Sequence, residues 1–212
     1  MQHISRDILI AVEGIDGSGK STLCAKLAHS LAPYGNLLLT KEPGGTSIGL
    51  QLRAIVQQSN HRCPKTEFLL FAADRAQHFE EIILPALAQK KIVISDRMAD
   101  SSIVYQGYGR GLDKQMITCI NQWAMNNRMP DITLYVRISL ETALERIKAR
   151  NLALTAFEQE HLFLQKLIDG FDDLYAHKNN VLIIDGSPTP EIVHQNALQQ
   201  LLLFLEQNGY LV

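Results

Sequence analysis

Ile8-Leu9-Ile10-Ala11-Val12-Glu13-Gly14-Ile15-Asp16-Gly17-Ser18-Gly19-Lys20-Ser21-Thr22-Leu23 is the stretch from which the fold is read. The apolar run Ile8 to Val12 stops at Glu13, Gly14 to Ser21 fits G-x-x-x-x-G-K-[ST], and a helical pattern begins at Lys20. Strand, phosphate loop and helix in that order is the context the motif requires. Glycines let backbone N–H groups curl around a phosphate. Lys20 brings a charge to the β and γ phosphates, the Ser21 hydroxyl can ligate Mg²⁺, and the helix start adds its dipole. The rival dinucleotide fingerprint, G-x-G-x-x-G, fails because Thr22 stands where its last glycine would be.

Outward from that stretch the chain alternates. Four more β-rich runs follow, at 37–40, 92–95, 132–136 and 181–184, separated by helical patterns over 20–31, 47–58, 64–89, 113–127, 140–150, 158–177 and 190–207. Pro85 predicts a kink late in the third helix. Nearly continuous apolar strands suit a parallel sheet covered on both faces, so the expected fold is α/β, a P-loop NTP hydrolase-like three-layer sandwich with a five-stranded parallel sheet. Ligands in such sheets bind at the carboxyl ends of the strands. No repeat or composition shift marks a second unit, and the 212 residues are expected to form a single domain.

Composition removes several classes of function. At 46% apolar and 20% charged residues the chain is neither disordered nor collagenous, and no apolar run is long enough to span a membrane. Twenty basic against 22 acidic side chains give a net charge of −2, which offers no footprint for nucleic acid. Cys24, Cys63 and Cys119 are odd in number and far apart, so they form neither a disulfide framework nor a metal clip. A cytoplasmic location is expected, with neither nucleic acid nor membrane as partner.

A phosphate loop leaves open what happens to the nucleotide. A GTPase switch needs Asn-Lys-x-Asp after a later strand, and Asn179-Asn180 lacks it. Asp96 ends the third strand, where an acidic side chain can hold Mg²⁺ through water. Arg53, Arg75, Arg97 and Arg110 suggest a second anionic site, because a guanidinium grips phosphate oxygens bidentately. That favours transfer to a phosphorylated acceptor over hydrolysis.

Beyond the loop, Lys41-Glu42-Pro43-Gly44-Gly45-Thr46, Phe71-Ala72-Ala73-Asp74-Arg75, Asp96-Arg97, Ser101-Ser102 and Tyr105-Gln106-Gly107 resemble the blocks of thymidylate kinases. The likeness runs from the first strand to the last helix. It implies phosphorylation of dTMP to dTDP by ATP with Mg²⁺, on the route to dTTP, in a homodimer. Carried over residue by residue, it implies that Gly14, Ile15, Asp16, Gly17, Ser18, Gly19, Lys20, Ser21 and Thr22 hold ATP, with Ser21 and Asp96 at the metal. Phe71 resembles the ring that stacks on thymine, Arg75 the side chain that bonds the base, and Ser102 a group at the base's polar edge. Tyr105 resembles the residue beneath the sugar's 2′ carbon. Arg97 and Arg53 resemble the clamps on the acceptor phosphate, and Asp16 the loop carboxylate near metal and acceptor.

Some thymidylate kinases carry a catalytic arginine in the phosphate loop. Gly17 occupies that position here, so the resemblance points to a lid near 146–157, with Arg150 the first candidate to reach the transferring phosphoryl group and Arg146, also assigned to ATP, the second. Three positions depart from the family pattern. Thr155-Ala156-Phe157-Glu158 replaces Asp-Arg-hydrophobic-Glu, Lys41 replaces Arg before Glu-Pro-Gly-Gly-Thr, and Met98 replaces an aromatic after Asp-Arg. Two other readings stand beside the leading one: another deoxynucleoside or deoxynucleoside-monophosphate kinase on the same scaffold, and a nucleotide-dependent switch without transfer activity.

Overall fold

The computed structural model describes residues 3–58, 63–149 and 157–212. Its centre is β1 (Ile8–Glu13), every residue of which is buried, as a strand hydrogen-bonded on both edges and covered on both faces must be. The sheet has five parallel strands in the order β2-β3-β1-β4-β5, with β2 at Leu37–Lys41, β3 at Ile92–Asp96, β4 at Ile132–Arg137 and β5 at Val181–Asp185. From β1 the chain goes outward to β2, returns to β3, then crosses to β4 on β1's other side. That reversal opens a crevice at the carboxyl end of β1, where the phosphate loop emerges.

The pleat sorts side chains between two cores. Ile8, Ile10 and Val12 face α1 (Lys20–Leu31) and the last helix, α9 (Pro190–Gln207), whose Val193, Ala197, Leu201 and Leu205 recur every four residues as one apolar stripe. Leu9 and Ala11 face the opposite layer. There α3 (Pro64–His78) continues through a π-helical turn, Phe79–Ile83, into α4 (Leu84–Ala88). The predicted segment 64–89 is therefore helical as far as Ala88, and the irregularity expected at Pro85 takes the form of this wide turn, in which Leu84 N–H reaches Phe79 O. Proline has no N–H to give, so the ladder loosens one turn ahead of it.

Following β2, α2 (Ser47–Gln58) packs on α3. The sequence reading missed the helix after β3: α5 (Ala99–Ser102) runs into a second π-helical stretch, Ile103–Gly109. Gly107 and Gly109 hid it, since glycine lowers helix propensity. Both are needed for close packing, because a Cβ at Gly109 would lie 2.6 Å from the Phe163 ring. Next comes α6 (Lys114–Ala124), capped by Asp113, and Asn126 and Asn127 at φ 49° and 59° end it three residues sooner than periodicity suggested. Helices α7 (Leu140–Ala149) and α8 (Phe157–Tyr175) cover the second face, with Tyr135, Phe171 and Tyr175 stacked between sheet and helix. The two ends of the described chain meet: Ile4 pairs antiparallel with Leu211, and His3 N–H donates to Val212 O at 2.8 Å.

Candidate active site

The phosphate loop runs from the end of β1 into α1. Gly14 has φ 148°, and a Cβ there would sit 2.6 Å from the Val136 carbonyl oxygen, so only glycine fits this turn. Lys20 is buried, and its Nζ folds back to donate to Ile15 O at 2.8 Å. Burial, reinforced by the charge of Arg97, lowers its pKa to about 8. Ser21 Oγ donates to Asp96 Oδ2 at 2.5 Å, so the hydroxyl that opens α1 and the carboxylate that ends β3 already converge.

Beside the loop stands Arg97, at φ 72° in the left-handed region, a conformation that costs a side-chain-bearing residue about 1 kcal/mol or more. Its guanidinium joins three segments. Nη1 donates to Gly14 O at 3.0 Å and Ser101 Oγ at 2.9 Å, and Nη2 to Asp16 Oδ1 at 2.6 Å and Tyr105 Oη at 3.2 Å. Tyr105 Oη in turn donates to Asp16 Oδ2 at 3.2 Å. Burial works against the Asp16 carboxylate, but Arg97 and then Lys20 outweigh it and hold the group below the usual carboxylate range. A cleft of about 500 Å³ is lined by Asp16, Lys20, Ser21, Arg53, Asp96 and Arg97 among others, so the loop, the metal-site pair and two of the predicted phosphate clamps face one space. Arg53 is tethered there through Pro43 O at 3.0 Å.

Next to it lies a second cavity of about 250 Å³, walled by Phe71, Arg75, Arg97, Ser102 and Tyr105. All the predicted acceptor-site residues except Arg53 therefore share it. Arg75 is 2% exposed and held from several sides. Nη1 donates to Asn121 Oδ1 at 2.6 Å and Ser102 Oγ at 3.3 Å, Nη2 donates to Met98 O at 3.1 Å, and Nη2 pairs with Glu42 Oε2 at 2.9 Å. Its Nε–H has no partner among the described residues. Glu42 also takes a contact from His78 Nδ1 at 3.1 Å, and His78 Nε2 lies 2.6 Å from Thr40 Oγ1. Though burial opposes ionisation of Glu42, Arg75 and His78 keep its carboxyl below the usual range.

A third space, about 180 Å³, opens on the outer side of the loop between Gly17, Ser18, Gly19, Arg146, Pro188 and Pro190. Arg146 donates to Gly186 O at 2.9 Å, Ser187 O at 3.0 Å and Gly17 O at 3.4 Å. Three backbone carbonyls thus hold it in the wall of this outer space, outside the lining of the cleft that contains Lys20 and Arg97. Arg110 is likewise not drawn into the phosphate cleft, since it lies over the Phe163 ring at 5.0 Å and 3.8 Å from Glu67. Arg150 and the segment 150–156 lie outside the described residues.

Sequence reading gave no role to Glu13, Asn121 or Ser101. Glu13 is fully buried, and burial together with the nearby Asp100 carboxylate pushes its pKa up to about 7. Its signal was an acidic residue closing an otherwise apolar central strand, an arrangement that demands partners. Asn121 carried no such signal, because an amide on an amphipathic helix reads as surface.

This geometry has counterparts. The sequence model of the family described as "Thymidylate kinase" matches residues 12–197. The thymidylate kinase of Kosmotoga olearia is 38% identical over 207 residues, covering 96% of this chain and 99% of that protein. That of Acinetobacter baylyi is 40% identical over 200 residues, covering 92% and 98%. The crystal structure of thymidylate kinase from Ehrlichia chaffeensis superposes with a TM-score of 0.77 at 34% identity, covering 92% of this chain and 99% of that one.

Proposed function

Because this chain belongs to the thymidylate kinase family and phosphorylates dTMP, we propose that it draws the phosphoryl group from ATP with Mg²⁺, and that the two adjoining cavities divide the reactants between them. The observation that carries this reading is the single cleft shared by Lys20, Arg53, Arg97, Ser21 and Asp96, where two polyanions must meet. ATP lies along Gly14 to Thr22, with its base in the outer space beside Arg146. The acceptor's base lies against Phe71, Arg75 and Ser102, its sugar over Tyr105 and its phosphate between Arg97 and Arg53.

A metal fits this site. Ser21 Oγ and Asp96 Oδ2, 2.5 Å apart, are hard oxygen donors of the kind Mg²⁺ takes alongside phosphate oxygens and water. When bound there, the ion neutralises charge shared by the β and γ phosphates. The acceptor needs no general base. A monophosphate's second pKa is about 6, so its attacking oxygen is already largely ionised at neutral pH. That oxygen bonds to the γ phosphorus while the bond from phosphorus to the β–γ bridging oxygen breaks, releasing ADP and leaving dTDP. Lys20 meets the charge that builds on the donor, Arg97 holds the acceptor in line, and Asp16 and Tyr105 keep the guanidinium from swinging away. We place the lid near 146–157 of a single domain, with Arg150 as its phosphoryl-contacting arginine.

ADP formation from Mg-ATP, measured against dTMP, dUMP, dCMP, dGMP, dAMP and thymidine with water as blank, tests the assignment. The expected result is strongest stimulation by dTMP; a stronger response to another monophosphate would move the chain to a sister activity. The ribose analogue of dTMP is expected to show kcat/KM at least about tenfold lower, because the added hydroxyl meets the Tyr105 ring and one misplaced group near the reacting centre costs that much or more. Equal turnover of the two would remove the role given to Tyr105.

The active unit is proposed to be a homodimer in the cytoplasm. Helix α3 packs against both α2 and α6, and these three expose Leu50, Leu69, Met116 and Trp123, the last at 76%. Large apolar side chains left in water on neighbouring helices mark a surface that another copy covers. Sedimentation is expected to give twice the monomer mass, and Trp123→Glu to shift it to the monomer; a wild-type monomer at micromolar concentration would reject the dimer. A cytoplasmic address agrees with three unpaired thiols. Among the described residues no helix is long and apolar enough to cross a membrane.

A further inference from the structure

Glu13 is the one ionisable side chain on the central strand, and it is inaccessible to any ligand: its exposure is 0%. Both of its oxygens are engaged by the turn that follows β3. Oε1 accepts from Met98 N at 2.8 Å and from Ser101 N at 3.2 Å, and Oε2 accepts from Ser101 Oγ at 2.5 Å. Ser101 Oγ then accepts from Arg97 Nη1 at 2.9 Å. The same turn holds Arg97 in its left-handed conformation, pinned on either side by Arg97 N–H to Val12 O at 3.0 Å and Ser95 Oγ to Arg97 O at 2.8 Å. A strained residue persists only where its surroundings over-determine it, and here β1, through Val12 and Glu13, and the end of β3, through Ser95, both supply constraints.

We propose that Glu13 is a positioning residue for the acceptor phosphate, acting through Ser101 to fix the Arg97 guanidinium at the cleft. This rests on the reading of Arg97 as the acceptor-phosphate clamp. A carboxyl group suits the task, because its three hydrogen bonds in the turn, from Met98 N, Ser101 N and Ser101 Oγ, are all donated to it. Ser101 serves as the coupling because its hydroxyl gives its proton to Glu13 and turns its lone pairs toward Arg97. With the relay in place the guanidinium has one position; without it, only Asp16, Tyr105 and Gly14 O hold it, and the first two belong to groups that the substrate itself adjoins. Glu13 takes no part in proton transfer, being sealed from the cleft behind the turn it braces.

Binding of dTMP and of thymidine without ATP separates this role from a structural one, because the two ligands differ only in the phosphate. Ser101→Ala is expected to weaken dTMP binding about five- to tenfold and leave thymidine within twofold of wild type. Glu13→Gln, whose amide oxygen can still take the two N–H bonds but whose NH₂ competes for Ser101 Oγ, is expected to act in the same direction. In an Arg97→Ala background, which by itself removes the preference for dTMP over thymidine, neither substitution should cost anything more. Equal loss of both ligands in Ser101→Ala and Glu13→Gln, or losses that multiply in the Arg97→Ala background, would overturn the proposal. If Arg97→Ala left the dTMP-to-thymidine ratio unchanged, the clamp reading would fall and the relay with it; a ratio altered by Arg97→Ala alone would sink the relay and spare the clamp.

Discussion

Lys20→Ala is expected to lower kcat by about a thousandfold or more while the folded chain survives. Removal of one preorganised donor at a developing charge typically costs 10²–10³ in rate, and a cation placed on a transferring phosphoryl group contributes 10³–10⁵. Lys20 combines both roles and has no understudy in the loop, since Gly17 stands where an arginine would otherwise help. The residue is also primed by its surroundings. Burial beside Arg97 makes its charge costly, and phosphate oxygens relieve that cost on binding, which aims the interaction at the reacting groups. Folding should not suffer, because among the described residues Nζ makes a single hydrogen bond, to Ile15 O, and its loss removes a buried charge along with it. Steady-state assay together with circular dichroism checks this, and a variant with more than a tenth of wild-type turnover would refute the assignment. Lys20→Arg should not rescue, because the planar fork cannot replace a compact ammonium inside the loop.

Glu42→Ala should be the most destabilising substitution near the site, by about 3–5 kcal/mol, the range for removing one partner of a buried ion pair. The side chains of Arg75 and Glu42 are each 3% exposed, so the pair is buried and the guanidinium left behind loses its counter-charge with little water to replace it. His78, which has no surface exposure, would lose its Nδ1 partner as well. In a chain of this length that loss corresponds to a melting temperature lower by about 6–20 °C. Arg75 would also drift from Asn121 and Ser102, so dTMP affinity falls together with stability. The pH sign follows from the pair. Glu42's folded pKa lies below its unfolded value, so its contribution is complete above the unfolded value of about 4.3 and is lost as pH falls through the folded one. Wild type and variant should therefore converge in stability as the pH is lowered below 4. A melting temperature within about 2 °C of wild type at pH 7 would contradict the argument.

The sequence carried the sheet and the phosphate loop because both are written locally. Five apolar runs and one spaced glycine–lysine motif need no knowledge of distant contacts, and each of the five strands forms where its run lies. Arg53, Arg75, Arg97, Ser102 and Tyr105 were legible only through their resemblance to known blocks, since an arginine or a tyrosine at a given spacing says nothing of what it faces. The helix after β3 escaped because Gly107 and Gly109 look like a loop until Phe163 and Lys114 are packed against them. Glu13 and Asn121 escaped for a related reason. Each acts by completing a hydrogen-bond set whose other members lie 22 to 88 residues away, and that separation leaves no trace in a local pattern. Arg146, the second lid candidate, shows what spacing omits: its guanidinium is held by three backbone carbonyls that no local pattern announces.

The pairing of Ile4 with Leu211 places the two ends of the described chain side by side, ahead of the amino end of β1, whereas both substrate cavities are lined by residues that follow the carboxyl ends of β1 and β3. The backbone is thus nearly a closed ring. A few glycines joining the ends would complete it, and the ring could then be reopened in a surface turn such as Asn126-Asn127, giving a circular permutant with the same sheet and the same cleft. Fused partners at either end would likewise emerge from one spot, behind the catalytic face, where they leave the approach of both nucleotides clear.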